Sequence, residues 1–545
     1  MARRKRLERP TDHNGASREP SVFAVDESRV GILGALSDMN YLTKSTSALV
    51  LACCVSVLAG CGKSAAPSGT KLTYKMDSIP ASAIDTSQQT MEQAKEKPDP
   101  NIETLARAYD ERHAKPSRPA VRLAAPTKPA APAVEPPLAA KEDIDKAKAR
   151  VAELRGSVKT AKNGAITGLT IESADATVED MALFGKLLDL ESISFLGANF
   201  NDEYLAQFKD LKKLTSITVQ NSGITGASLE TFAAYPELKS LDIRRDLQLE
   251  NKDLKVLVSA PKLENLALYY NGFSNFAVKN VQTSQTIKSL DLRGCQNVDD
   301  GCCRYLIEMP ALEEVYFRFL ISDDGIEKLS AAPKLKFIEL QDCAVTNACA
   351  ESLVKFPALT GLRVFRSKSF DDGGVQGLAG IKLERLELRD LNVSNDGVLA
   401  LKDMSTLRNV ELSELGSVDS EALKTVLGSW KNLESLWLFS MATNDDVVKT
   451  IVASEPNLKN LTLRASVGEL SDSTLEELTK LQNLESLDLR ENAGFTLDGF
   501  KKLANINSLR KLYIKGTALG DSNQAALDAQ AEMKKVNPKI SFSNN

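Results

Sequence analysis

One six-residue phrase, Leu-x-x-Leu-x-Leu, recurs along residues 161–518 and constrains the possible fold more than any other feature of the chain. A clear copy is Leu433-Glu434-Ser435-Leu436-Trp437-Leu438. Further copies begin at Ile166, Leu190, Leu214, Leu238, Leu263, Ile287, Leu312, Leu335, Leu359, Leu383, Leu407, Leu458, Leu484 and Leu509. The fifteen starts lie 23 to 26 residues apart, most often 24. Self-similarity at such a period marks a solenoid.

The phrase also specifies local structure. Its last two apolar positions alternate with a polar one, the period of a short strand with one buried face. In Ile287-Lys288-Ser289-Leu290-Asp291-Leu292 this turns Leu290 and Leu292 inward and Asp291 outward. About ten residues later an oxygen-bearing side chain precedes an apolar run, as in Ser322-Asp323-Asp324-Gly325-Ile326, Asn395-Asp396-Gly397-Val398 and Ser471-Asp472-Ser473-Thr474-Leu475. Such residues satisfy the free N–H groups of a first helical turn. The run then has helical spacing (Val398, Leu401, Met404), and a proline often closes it, as at Pro236, Pro310 and Pro456. A single unit of this kind cannot bury its own apolar face, whereas stacked units share a continuous core. Strands stack about 4.8 Å apart and helices about 8–10 Å apart, so the stack bends with the strands inside.

This pattern resembles the leucine-rich-repeat superfamily. The 24-residue period and convex helices look most like its ribonuclease-inhibitor-like and cysteine-containing branches. The resemblance covers residues 161–518 and implies an α/β fold: a curved solenoid of about fifteen repeats, with a parallel sheet on the concave side and helices on the convex side. The Asn or Cys expected after each strand is kept at Asn271, Cys295, Cys343 and Asn492, while Ser222, Ser466 and Thr517 stand in elsewhere. Function does not follow, because this fold hosts many unrelated activities.

Ahead of the repeats the chain changes character. Met39 to Gly60 reads as a secretory signal, with Lys44 as its basic region and an uncharged apolar run from Ala48 to Ala59 that is too short to span a bilayer. Residues 1–60 are therefore assigned to the signal, with 1–38 preceding a second candidate start. The signal ends in Leu58-Ala59-Gly60-Cys61, which looks like the lipobox of bacterial lipoproteins. That resemblance implies a lipidated Cys61 as mature amino terminus, anchored at the cell envelope. Gly62 in place of Asp favours the outer membrane, by analogy with Gram-negative sorting. Gly60-Cys61-Gly62-Lys63-Ser64 is not a phosphate-binding loop, because Val57 stands where the motif requires Gly. Residues 61–139 lack a sustained apolar period and carry seven prolines between Pro116 and Pro137, as expected of an extended tether.

Ile144, Ala147, Val151, Leu154 and Val158 then mark one face of a helix, and residues 140–160 are expected to be an amino-terminal cap. Residues 519–545 are expected to close the other end, through a helix from Asp521 to Lys535 and a strand at Ile540-Ser541-Phe542.

No catalytic constellation is visible. The two histidines, His13 and His113, both precede the repeats, which removes histidine-based triads and His-rich metal sites from the solenoid. The Asp-Asp-Gly triplets at 299–301, 323–325 and 371–373 lack the alternate-residue spacing of a calcium loop and sit where helices should start. The expectation is a non-enzyme with no cofactor and no metal. Formal charge is −5 overall and about −7 for residues 61–545, which argues against nucleic acid as the main partner.

Numbering each phrase from its first apolar residue, the concave face consists of positions three, five and seven. Position five is often acidic (Asp242, Asp291, Glu339, Glu387, Glu411, Asp488) and position seven often basic (Arg244, Arg293, Arg318, Arg389, Arg464, Arg490). Aromatic and arginine side chains interrupt these columns: Tyr269, Tyr316, Arg318, Phe337, Arg363, Phe365 and Arg366 in the middle repeats, with Tyr270 and Phe319 nearby, then Trp437 and Phe439 on one strand. Binding hot spots are made of such residues. The expectation is a lipid-anchored envelope protein that binds a protein, peptide or cell-wall glycan through this face. A structural envelope protein without a specific ligand is the first alternative. An intracellular scaffold or ubiquitin-ligase-type adaptor, should the chain not be exported, is the second.

Overall fold

The structure is a computed structural model, and it describes residues 137–544 except 173, 174 and 198. The signal at 1–60, Cys61 and the tether as far as residue 136 lie outside the described residues.

The described residues form an open, curved α/β solenoid with a sheet of seventeen strands. The first, Ser157–Thr160, runs antiparallel to the second, Ile166–Ile171. From there to Ser541–Ser543 each strand pairs in parallel with the next in sequence. Equivalent phrase positions lie side by side, as in Leu362↔Leu386 and Leu386↔Val410. This register follows from the core. A slip by one residue would turn every inward Leu to solvent, and Leu290, Leu362, Leu386, Leu436 and Leu487 are fully buried.

The strands return through helices on the convex side. Most are short α-helices, such as Asp323–Leu329 and Asp445–Ser454, but residues Asn251–Ser259 form a 3-10 helix. Its buried residues Leu254 and Leu257, followed by Ala260 just past its end, fall at every third position, the period of that helix.

Three repeating devices lock one repeat to the next. From the strand Ser216–Gln220 to Lys511–Tyr513, the residue at position eight adopts a left-handed conformation: φ is 52° at Asn221, 57° at Tyr270, 54° at Arg366 and 48° at Ala465. Its N–H bonds the position-seven carbonyl of the next strand, as from Tyr270 to Arg293 at 3.0 Å. Position nine then turns inward. There Asn271 accepts from the Asp246 amide at 2.8 Å and donates to the Ile243 carbonyl at 2.8 Å, and Asn492 bridges Ser466 and the Leu463 carbonyl in the same way. Buried Leu391, Leu415 and Met441 interrupt this ladder in the later repeats.

The third device is at the helix starts. The Asp or Asn that begins one helix bonds the capping residue of the next: Asp300 receives the Ser322 amide at 2.8 Å, Asp323 the Thr346 amide at 2.8 Å, and Asn347 the Asp371 amide at 2.9 Å. Within the Asp-Asp-Gly triplets, Asp299 and Asp371 cap their own helices through Gly301 and Gly373. Asp323 departs from this, since its carboxylate is used between repeats.

The amino-terminal cap differs from the continuous helix expected over 140–160. The helix spans Lys141–Glu153, and Val158 lies in the strand Ser157–Thr160. Arg155, at φ 56°, turns the chain between them. The antiparallel strand covers the sheet edge that the first repeat would otherwise expose. Arg150 holds the helix down with two bonds to Asp180, at 2.7 and 3.1 Å. At the other end the helix Gln524–Val536 buries Ala526, Ala529 and Met533, and Ser541–Ser543 pairs with Lys511–Tyr513. Cys295, Cys302, Cys303, Cys343 and Cys349 are free and buried, and burial pushes the Cys295 thiol up to about 12. No helix among the described residues is long and apolar enough to cross a membrane.

Candidate functional site

The middle of the concave face is one connected array of rings and guanidinium groups. The Arg293 guanidinium lies 5.2 Å from the Tyr269 ring centre and 5.2 Å from that of Tyr316. Tyr316 packs on Phe337 at 5.4 Å, and Arg385 covers Phe337 at 4.4 Å. Arg366 and Arg389 lie on Phe365 at 4.1 and 4.8 Å, with Arg363 at 5.7 Å. Arg389 also reaches Phe439 at 5.4 Å, and Arg464 lies at 5.0 Å from that ring. To one side Arg318 bonds the Tyr270 hydroxyl and lies 4.6 Å from the Phe319 ring. Each arginine–ring contact is an attraction between a cation and the negative face of a ring.

Carboxylates hold these arginines in place. Glu339, only 2% exposed, sits between Arg293 at 2.8 Å and Arg363 at 3.5 Å. Asp342 takes both Arg318 and Arg366 at 2.7 Å. Arg363 reaches Glu387 at 3.2 Å, Arg389 bonds Glu414 at 2.7 Å, and Arg464 bonds Glu491 at 2.6 Å. Burial draws the Arg293 pKa down, but Asp291 and Glu339 outweigh it and hold the group above the ordinary guanidinium range. Burial and its contact with Glu314 raise the Tyr316 phenol.

The array therefore contains Tyr269, Tyr316, Arg318, Phe337, Arg363, Phe365 and Arg366, and Phe439 joins it through Arg389. Two of the expected contact rings are not bare. Phe337 is 5% exposed and Phe365 is 8% exposed. Gly361 makes room for Phe337 on the next strand, where a Cβ would come within 2.7 Å of the ring. Phe365 is covered by arginines from its own and the following repeat. Gly294 makes the same allowance for Tyr270, whose ring a Cβ there would meet at 2.5 Å. Trp437 stands apart from the array, with 41% of its surface exposed.

Beside Trp437 is Glu411, its register partner on the adjacent strand. Burial and the neighbouring Glu387 raise the Glu411 carboxyl above its ordinary value, against weaker opposition from Arg363, Ser413 and Arg389. The acidic position-five column was visible in the sequence. The role of Asp342 was not, because position eight carries no recurring residue type. A second feature that sequence reasoning missed is a cleft of about 880 Å³ on the convex side, lined by Glu230, Lys252, Lys255 and Lys279 and opening where the narrow 3-10 helix replaces an α-helix. No group of three or more His, Cys, Asp or Glu side chains among the described residues is arranged to hold a metal ion.

No known family profile matches the chain, and no curated protein does. Among solved structures, it is similar to a chain of the Rad7–Elc1 complex in yeast, at 15% identity and a TM-score of 0.37, covering 65% of this chain and 83% of that one. It is also similar to a chain of the TLR13–ssRNA13 complex, at 17% identity and a TM-score of 0.36, covering 64% and 62%. A third is the internalin inlF of Listeria monocytogenes, at 13% identity and a TM-score of 0.30, covering 74% and 94%.

Proposed function

We propose that the chain is a non-enzymatic recognition solenoid, held at the cell envelope by a lipid on Cys61, that binds a protein, peptide or cell-wall glycan on its concave sheet. The observation that carries the recognition reading is the interlocked array from Tyr269 to Arg464. Its side chains come from nine successive repeats and restrain one another, so a ligand meets groups whose conformational entropy is already spent. Tyrosine and arginine are also the residue types on which binding energy concentrates. We assign the repeats to the ribonuclease-inhibitor-like and cysteine-containing branches on the strength of the period and of Cys295 and Cys343 at ladder positions. The address rests on Leu58-Ala59-Gly60-Cys61 and the apolar run before it.

Two experiments test this. Intact-mass and fractionation analysis of the native protein beside Cys61→Ala is expected to show a chain beginning at a lipidated, membrane-associated Cys61 and a variant that is neither. A soluble, unlipidated chain beginning at Met1 would overturn the address and return the scaffold alternative. For recognition, a photo-crosslinking amino acid at concave Asn409 is compared with one at convex Lys355 in cells. Adducts confined to Asn409 are expected, and equal labelling at both overturns concave recognition. The self-pairing of most concave charges favours the second reading, a structural envelope protein, which predicts no discrete adduct at either position.

A further inference from the structure

We propose that Trp437 and Glu411 together receive an arginine side chain presented by a partner protein, an inference that rests on recognition through the concave face.

Almost every ring and carboxylate in the central columns of this face is already served by an arginine of the chain itself. Tyr269, Tyr316, Phe337, Phe365, Phe439 and Tyr513 each carry a guanidinium within 5.7 Å of the ring centre. Asp242, Asp291, Glu339, Glu387 and Asp488, the other acidic residues of position five, each form an ion pair with an arginine. Among the described residues, Trp437 has no cation over its ring, and Glu411 forms no direct ion pair, with Arg363, Arg389 and Ser413 acting on its carboxyl only weakly. These two exceptions are nearest neighbours. They are paired in register across adjacent parallel strands, at the same phrase position, and so face the same side.

The sheet shows what such a pair does with an arginine. Arg389 lies 4.8 Å from the Phe365 ring centre while bonding Glu414 at 2.7 Å. Arg464 lies 5.0 Å from Phe439 while bonding Glu491 at 2.6 Å. In both, an aromatic ring and a carboxylate hold a single guanidinium, Arg389 reaching Phe439 as well. Trp437 and Glu411 supply the same two halves, with the strongest cation-binding ring among the aromatic side chains. The nearby arginines are committed elsewhere, Arg363 to Glu387 and Glu339, and Arg389 to Glu414. The partner group is arginine rather than lysine because a planar guanidinium can stack on the indole and still direct an N–H at the carboxylate edge, which a compact ammonium cannot do equally well.

The test uses the full chain and three acetylated, amidated pentapeptides, Gly-Gly-X-Gly-Gly, with X as arginine, lysine or the uncharged isostere citrulline. Binding is read by saturation-transfer NMR on the peptide protons. The arginine peptide is expected to bind in the millimolar range, at least five-fold tighter than citrulline and tighter than lysine. Trp437→Ala and Glu411→Gln should each weaken it at least three-fold, and Phe276→Ala on the convex side should not. Thermal melts establish that the variants are folded. Equal binding of arginine and citrulline, preference for lysine, or indifference to both concave substitutions overturns the proposal. Adducts at Asn409 alongside a failed peptide test leave concave recognition standing without an arginine receptor. Arginine binding that depends on Trp437, with no adduct in cells, upholds the receptor and removes the wider reading.

Discussion

Arg293 and Glu339 belong to repeats two apart, yet the guanidinium reaches over the intervening strand to the buried carboxylate at 2.8 Å. Tyr269 and Tyr316 hold the arginine between them while it does so. One side chain thereby ties together the strands Asn265–Tyr269, Glu314–Arg318 and Phe337–Gln341.

Removing Arg293 leaves Glu339 with only Arg363, at 3.5 Å. A buried charge that loses a partner costs several kcal/mol, so Arg293→Ala is expected to destabilise the repeats by about 2–4 kcal/mol, seen as a lower urea midpoint. Replacing Glu339 by Leu in that background should recover most of the loss. A double variant no better than the single one would show that ring packing, rather than the ion pair, dominates.

Glu455 closes the helix Asp445–Ser454 and is 2% exposed. One oxygen accepts the Leu433 amide at 2.9 Å, and the other is buried with no hydrogen-bond partner. Burial pushes its carboxyl up to about 7, against the Leu433 amide and Lys431. A raised folded-state pKa means that its contribution to stability is whole below the unfolded carboxyl value of about 4.3 and is lost as pH rises through about 7. The melting temperature should therefore fall between pH 5 and pH 8. Glu455→Gln should match the native protein at pH 5 and exceed it at pH 8 by on the order of 2 kcal/mol. Identical pH profiles for the two would mean that Glu455 keeps one charge state across this range.

Asp246 occupies a ladder position. One carboxylate oxygen takes both the amide and the hydroxyl of Ser222, while the other is buried without a partner. Burial raises its pKa, so ionisation destabilises the fold as pH rises. An Asn side chain here would keep the Ser222 bonds and turn an N–H toward the Val219 carbonyl, as Asn271 does toward Ile243. Asp246→Asn is expected to stabilise the protein at pH 8 by about 1–2 kcal/mol, measured by denaturant titration, with a smaller gain at pH 5. Loss of stability at pH 8 would contradict this account of the ladder.

Ala465 holds φ 48°, and its methyl group has no polar atom with which to bond the turn. A left-handed conformation costs an L-residue about 1–2 kcal/mol, and glycine gives back part of the relief through its freer unfolded state. Ala465→Gly should therefore gain up to about 1 kcal/mol. Gly294→Ala should lose more than that, because its Cβ would meet the Tyr270 ring at 2.5 Å. Thermal melts of the two variants check both signs.

Much of the architecture was legible in the repeated phrase. A period of 24 residues implies stacking, and alternation within the phrase specifies the inward set Leu290, Leu386 and Leu436. The left-handed turn at position eight left only a partial trace in the sequence: Asn221, Gly294 and Gly516 suit it, whereas Arg245, Tyr270 and Ala465 do not announce it. The helix-start ladder was half visible: Asp and Ser announce a helix, but their bonding to neighbouring repeats appears only in three dimensions. The aromatic and arginine residues could be assigned to one face, yet their exposure could not be read from it.

Local pattern settles strand, helix start and burial because these depend on residues close in sequence. Whether Phe337 is bare or covered depends on Gly361 and Arg385, placed beside it by the stacking of successive repeats. The same stacking puts Arg293 against Glu339 and sets Trp437 beside Glu411. Sequence determined that this chain is a solenoid with a polar, aromatic-bearing inner face. Tertiary structure alone decided which of those side chains satisfy one another, because short-range attraction between charges and rings is decided by a few ångströms across strands that lie 24 or more residues apart in the chain.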